Sequence, residues 1–188
     1  DKGSDILNMA DKNPDWEEFK GFYDGCGGII KLVDIAPECE GADEFIKKAS
    51  KLCTVSIAHT DADYDQAKHA FNIGITHATH LYNAMSGMTH RSPGVVGAVF
   101  DDERVRAEII CDGFHINPAV LRVTFRQLGE HRSVILSDSM PAPGAPAGLS
   151  EPGRQSPYGQ AAHAVLNAFT HTSSTTTLPK PLVSHVRS

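Results

Sequence analysis

The chain has 188 residues, enough for one domain with its own core or for part of a larger one. Its 40% hydrophobic and 21% charged residues are those of an ordinary globular protein, and a formal net charge of -6 offers no general attraction to nucleic acid or to an anionic membrane. Any phosphate it binds must be held by local groups rather than by a basic face.

Residues 1–20 are polar and punctuated by Asp-Lys-Gly and Asn-Pro, which predicts a loop running into a short helix around Trp16 to Tyr23. After the turn from Gly25 to Gly28 the pattern becomes regular. The apolar run from Ile29 to Ala36 predicts a strand, and Ala42 to Lys51, with Phe45, Ile46 and Ala49 at helical spacing, predicts a helix. A second strand, Thr54 to His59, leads into a helix that begins near Asp61 as N-cap and stops near Gly74. Strand Thr76 to Leu81, a long Gly/Ser/Pro loop, strand Ala107 to Cys111, helix Pro118 to Leu128 and strand Ser133 to Ser137 follow. Strands alternating with helices predict an α/β fold with a parallel sheet and helical crossovers. From Pro141 onward Pro, Gly, Ala and Ser dominate, then a Thr/Ser run from Thr170 to Thr177, and a poorly ordered tail is expected there.

Cys26, Cys39, Cys53 and Cys111 form no C-x-x-C pair, so reduced core thiols of a cytoplasmic protein are expected. No apolar run approaches the ~20 residues that span a bilayer, and no signal-peptide layout is recognisable. The opening on Asp1 rather than Met leads to the expectation of a fragment.

In a parallel α/β barrel the functional groups sit at the C-terminal strand ends. Those ends here read Ala36-Pro37-Glu38, Ala58-His59-Thr60, Thr79-His80-Leu81, Cys111-Asp112-Gly113 and Ser137-Asp138-Ser139. Strand alternation groups Val55 and Ile57 with His59, Thr76 and Ala78 with His80, and Val134 and Leu136 with Asp138. Each set reads as an inward face ending in a polar group at the rim. His77 has the opposite parity and is expected to point outward to a helix or turn partner, while His69 and His90 are expected on the surface. Two imidazoles on two strands, taken with a carboxylate on a third, suit a divalent metal such as Zn²⁺ or Fe²⁺ with a position left for the hydrolytic water.

Five segments occur in order: A-H-T-D-A-D-Y-D from Ala58, T-H-A-T-H-L-Y-N-A-M from Thr76, R-S-P-G-V-V-G-A from Arg91, D-G-F-H-I-N-P-A-V from Asp112 and L-S-D-S-M from Leu136. Together they resemble the N-acetylglucosamine-6-phosphate deacetylases of the amidohydrolase superfamily, over roughly Lys31 to Met140. The resemblance implies a partial TIM-type (β/α)8 barrel with about the last five strands present, residues 1–148 forming the barrel part and 149–188 a divergent tail. It implies metal-dependent hydrolysis of the acetamide of N-acetylglucosamine 6-phosphate to glucosamine 6-phosphate and acetate, in amino-sugar catabolism. His59 and His80 become metal ligands and Asp138 the catalytic acid/base. Asn83 and Ala84 meet the sugar phosphate, and Arg91 binds it from the neighbouring subunit of a homodimer. Asp112, Gly113, Phe114 and His115 form a substrate-binding turn, with His115 reaching the sugar or its acetamide.

The family's L-E-G-P motif, whose Glu is a further metal ligand, is not found in this sequence, and Glu38 in A-P-E is read as a structural rim residue. The expectation is therefore an internal fragment with an altered C-terminus. The alternatives are a catalytically inactive piece of the barrel, or another amidohydrolase such as a deaminase or cyclic-amide hydrolase. Neither of those reactions needs a phosphate site of the Asn83, Ala84 and Arg91 kind.

Overall fold

The computed structural model describes residues 13–138, and the expectations for the opening loop and for the tail fall largely or wholly outside them. Helix α1 (Trp16–Gly25) starts on Asp15, whose carboxylate accepts the Glu17 and Glu18 amides at the helix N-terminus. Its Trp16 and Phe19 rings pack edge-on against Phe45, at 6.2 and 5.2 Å between centroids, and dock it on α2 (Ala42–Ala49). Helix α3 (Tyr64–Ile73) opens with a reciprocal capping box between Asp63 and Gln66, so the cap lies two residues beyond Asp61, and it ends on Gly74 as expected. Helix α5 (Pro118–Arg132) is capped by Asn117 and runs past Leu128 through a break at Gly129.

The expected long loop contains a helix, α4 (Gly94–Asp101). Its sequence, GVVGAVFD, has no polar face, because residues 94 to 99 are all buried and the helix is enclosed by its neighbours. Helical periodicity is invisible when every position is apolar.

Strands β1 (Leu32–Ile35), β2 (Thr54–Ile57), β3 (Ile75–Ala78), β4 (Arg106–Ile110) and β5 (Ser133–Leu136) form one parallel sheet in the order β1-β2-β3-β4-β5. Monotonic order with right-handed crossovers places the connecting helices on the same side of the sheet. Ile35, Val55, Ile57, Ile75, Ala78, Ala107 and Ile109 form the covered side and share one core with Phe45, Ile46, Ala67, Phe71, Val95, Val99 and Leu121 from the helices.

The opposite side is polar, and its groups satisfy one another across strands. Asp34 and Ser56 are register partners. Ser56 and Thr79 hydroxyls lie 2.8 Å apart, and Thr79 donates to Asp34 at 2.6 Å. His77 Nε2 stands 3.2 Å from Glu108 Oε1. His77 is thus partnered by a residue of the next strand rather than by a helix or turn. His69 and His90 are exposed, as expected, and His69 pairs with Asp43 at 2.8 Å.

The alternation grouping does not survive the registers. Ile57 and Ala78 lie on the helix-covered side, whereas Val134 and Leu136 share the side of Glu108 and Ile110. Thr76 sits in a register shift, between the pairs Val55–Ile75 and Ser56–His77, which breaks the period of β3. The cysteines are all free, Cys111 buried and Cys26 exposed. Among the described residues no helix is long and apolar enough to cross a membrane.

Candidate functional site

The regular strands end at Ile57, Ala78 and Leu136, each two residues short of His59, His80 and Asp138. All three residues then take left-handed backbone, with φ of 47°, 35° and 45°. For residues with a Cβ this costs about 1–2 kcal/mol each and persists only where neighbouring contacts hold it. Strain shared by three strand ends at one edge of the sheet makes that edge the candidate site of this chain.

The imidazoles of His59 and His80 meet there. Their Nε2 atoms are 2.8 Å apart, with the rings crossed at 75° and centroids 4.6 Å apart. His80 is 6% exposed, and among the described residues its Nδ1 is a buried nitrogen without a hydrogen-bond partner. A ligating histidine ordinarily donates its second ring N–H to a carboxylate or carbonyl, and His80 Nδ1 has no such partner among the described residues. Two nitrogens of a tetrahedral Zn²⁺ stand roughly 3.3 Å apart, so the pair needs to open by only about 0.5 Å to hold a cation. The donor set therefore fits two positions of a divalent-metal site. No group of three or more metal-binding side chains occurs among the described residues.

Asp138 follows β5, two strand spacings or roughly 10 Å from β3 across the sheet. Its side chain is exposed. Asn83 folds back on the His80 turn, its amide N–H donating to the His80 carbonyl at 2.9 Å and its Nδ2 to the same oxygen at 3.2 Å. That backbone N–H is committed, so within the Asn83-Ala84 turn the main-chain donor left for a phosphate is that of Ala84. Ala84 is exposed, and Arg91 stands exposed on the loop leading to α4.

The Asp112–His115 segment is built around the Asp112 carboxylate. It accepts the amides of Phe114 and His115 at 2.8 and 3.1 Å, and His115 Nδ1 lies 2.6 Å from its other oxygen. This leaves the His115 Nε2 as the outward nitrogen of a fixed ring, while Gly113 turns the chain at φ 85°. Partial burial pushes the Asp112 carboxyl up, but the two amide hydrogen bonds and His115 outweigh it and hold it below its ordinary value. A carboxyl depressed in the folded state adds stability above its unfolded pKa of about 4, and that stability is lost as pH falls through the lower folded value. Asp112→Asn is therefore expected to flatten the loss of stability below about pH 4, read as urea midpoints between pH 5 and 3. An unchanged pH profile would remove Asp112 as the acid-sensitive group.

Two features of this edge were not read from the sequence. Glu38 accepts the Asp61 amide at 2.7 Å and the Thr60 hydroxyl, tying the end of β1 to the His59 turn. The Ser56–Thr79–Asp34 chain holds the residue next to His80. Both join residues far apart in the chain, and only the position of Glu38 at a strand end was a sequence signal.

No protein-family model matches the chain. Among curated proteins it is 38% identical to the N-acetylglucosamine-6-phosphate deacetylase of Bacillus subtilis, over 76% of this chain and 36% of that protein. It is 37% identical to the N-acetylgalactosamine-6-phosphate deacetylase of Escherichia coli O157:H7, over 63% of this chain and 32% of that protein. The crystal structure of N-acetyl-D-glucosamine-6-phosphate deacetylase from Mycobacterium smegmatis superposes with a TM-score of 0.70 at 36% identity, covering 73% of this chain and 36% of that one. A mutant of the same protein, in complex with N-acetyl-D-glucosamine-6-phosphate, matches equally well. The chain spans about a third of the length of the relatives it matches. By sequence and by fold, it is homologous to a part of the N-acetylglucosamine-6-phosphate deacetylases.

Proposed function

We propose that this chain carries the metal-binding and proton-transfer side of a deacetylase acting on N-acetylglucosamine 6-phosphate, releasing glucosamine 6-phosphate and acetate. The observation that carries the reading is the His59–His80 pair, two imidazole nitrogens facing each other on strained strand ends. In this reading the parallel sheet is a sector of a TIM-type barrel, its polar side turned to the interior and its helices outside. His59 and His80 hold a divalent cation, Zn²⁺ or Fe²⁺, whose Lewis acidity polarises the acetamide carbonyl and makes water easier to deprotonate. Asp138 takes the proton of the attacking water and delivers it to the sugar nitrogen as the C–N bond breaks, so one carboxylate serves both halves. The outward Nε2 of His115 is available to the sugar or its acetamide, and Arg91 offers the planar fork that matches two phosphate oxygens. In the homodimer this reading implies, Arg91 serves the neighbouring subunit's site, and the protein works in the cytoplasm.

A second reading, a chain that bears the site without completing it, is favoured because no group of three or more metal-binding side chains comes together among the described residues. One assay separates the two. The purified chain is expected to release acetate from N-acetylglucosamine 6-phosphate when Zn²⁺ is supplied, and far less from the unphosphorylated sugar. Bound Zn²⁺ without acetate release would favour the second reading. Equal rates on both sugars would remove the phosphate role of Arg91.

A further inference from the structure

We infer that Glu38 and Thr60 form a positioning pair that sets the separation of His59 and His80, an inference that rests on the metal-site reading above. Thr60, next to His59, is 3% exposed and is held from three sides. Its hydroxyl donates to Glu38 and accepts the Ala62 amide at 3.0 Å, and its own amide donates to the Ala84 carbonyl at 2.9 Å. The same contact continues as a parallel bridge between Thr60 and Met85. Glu38 completes the clamp by accepting the Asp61 amide at 2.7 Å.

The two histidine turns are thereby linked through one residue. On the β2 side, Glu38 fixes the donors immediately after His59. On the β3 side, Ala84 follows Asn83, whose amide N–H and Nδ2 both close on the His80 carbonyl. Ser86 extends the link, donating to the Ala62 carbonyl at 2.6 Å while accepting the Val95 amide at 3.0 Å. A left-handed residue such as His59 relaxes toward ordinary backbone when its neighbours are released, and that rotation carries its imidazole away from His80. The clamp resists that relaxation. Each Glu38 carboxylate oxygen is engaged by a backbone or hydroxyl donor of the His59 turn, and the Thr60 hydroxyl both donates and accepts, so both act through the histidines.

The test uses the full chain and two readouts. Zn²⁺ affinity is measured by competition with a chelating dye, and side-chain nitrogen NMR of the metal-free protein follows the His59–His80 hydrogen bond. Glu38→Gln and Thr60→Val are each expected to weaken Zn²⁺ binding by about tenfold and to shift the histidine nitrogen signals. The double variant is expected to be no worse than the single ones, because both break one clamp. Thr60→Ser keeps the hydroxyl and is expected to restore both readouts. Affinities within twofold of the parent and unmoved histidine signals, with only a lower melting temperature, would overturn the inference and leave a purely structural contact. Should the parent chain bind no Zn²⁺, the metal-site reading fails, and the NMR shifts alone decide whether Glu38 and Thr60 position the pair.

Discussion

Asp138→Asn is expected to lower kcat by roughly 10²–10⁴-fold, while the protein keeps its full complement of metal. The substitution is well matched to the place. Asn tolerates left-handed backbone about as readily as Asp, so the φ of 45° at the end of β5 survives the exchange. The side chain is exposed, so no core packing is disturbed. In the proposed function, what disappears is the carboxylate that would take a proton from water and pass it to the leaving nitrogen. Metal analysis beside single-turnover kinetics checks the two halves separately. Loss of metal together with turnover would make Asp138 chiefly a ligand, and retained turnover would remove it from the chemistry.

The largest effect expected on folding comes from Gly94→Val. Gly94 opens α4 at φ 58°, and a Cβ built there meets the carbonyl oxygens of Ser86 and Gly87 at 2.8 Å, both rigid main-chain atoms. A β-branched residue adds left-handed strain of about 1–2 kcal/mol to overpacking of about 1–3 kcal/mol. A loss of about 3 kcal/mol corresponds to a melting temperature lower by roughly 10 °C for a chain of this size. The loop carrying Arg91 is tied to α4 by the Val95 amide, which donates to the Ser86 hydroxyl at 3.0 Å, so Arg91 is expected to lose its place along with the fold. An unchanged melting temperature would mean that the close approach of loop and helix is not maintained in solution.

Most of the fold was legible because its elements obey simple periods. The five strands are short apolar runs ended by polar residues, and α2 and α3 show one buried stripe each. Helix α4 was not legible, since full enclosure removes the polar face on which the helical period depends. The candidate site residues were chosen by their place at strand ends and by the motifs around them. The alternation argument attached to them was wrong in its physics. Regular strand stops two residues earlier, the backbone then turns left-handed, and the register shift at Thr76 changes which residues of β3 face the helices. Contacts such as Glu38 with Thr60, or His77 with Glu108, depend on register between strands, which no single strand's sequence encodes.

The left-handed backbone at His59, His80 and Asp138 also bears on the history of the chain. Glycine adopts that conformation without steric cost, so at each of the three positions a single drift to glycine relieves strain. Selection for local backbone comfort alone would therefore meet the same relief at three separate places. This sequence keeps two imidazoles and a carboxylate at all three, so the end of the sheet carries a steric cost that the simplest residue would have removed.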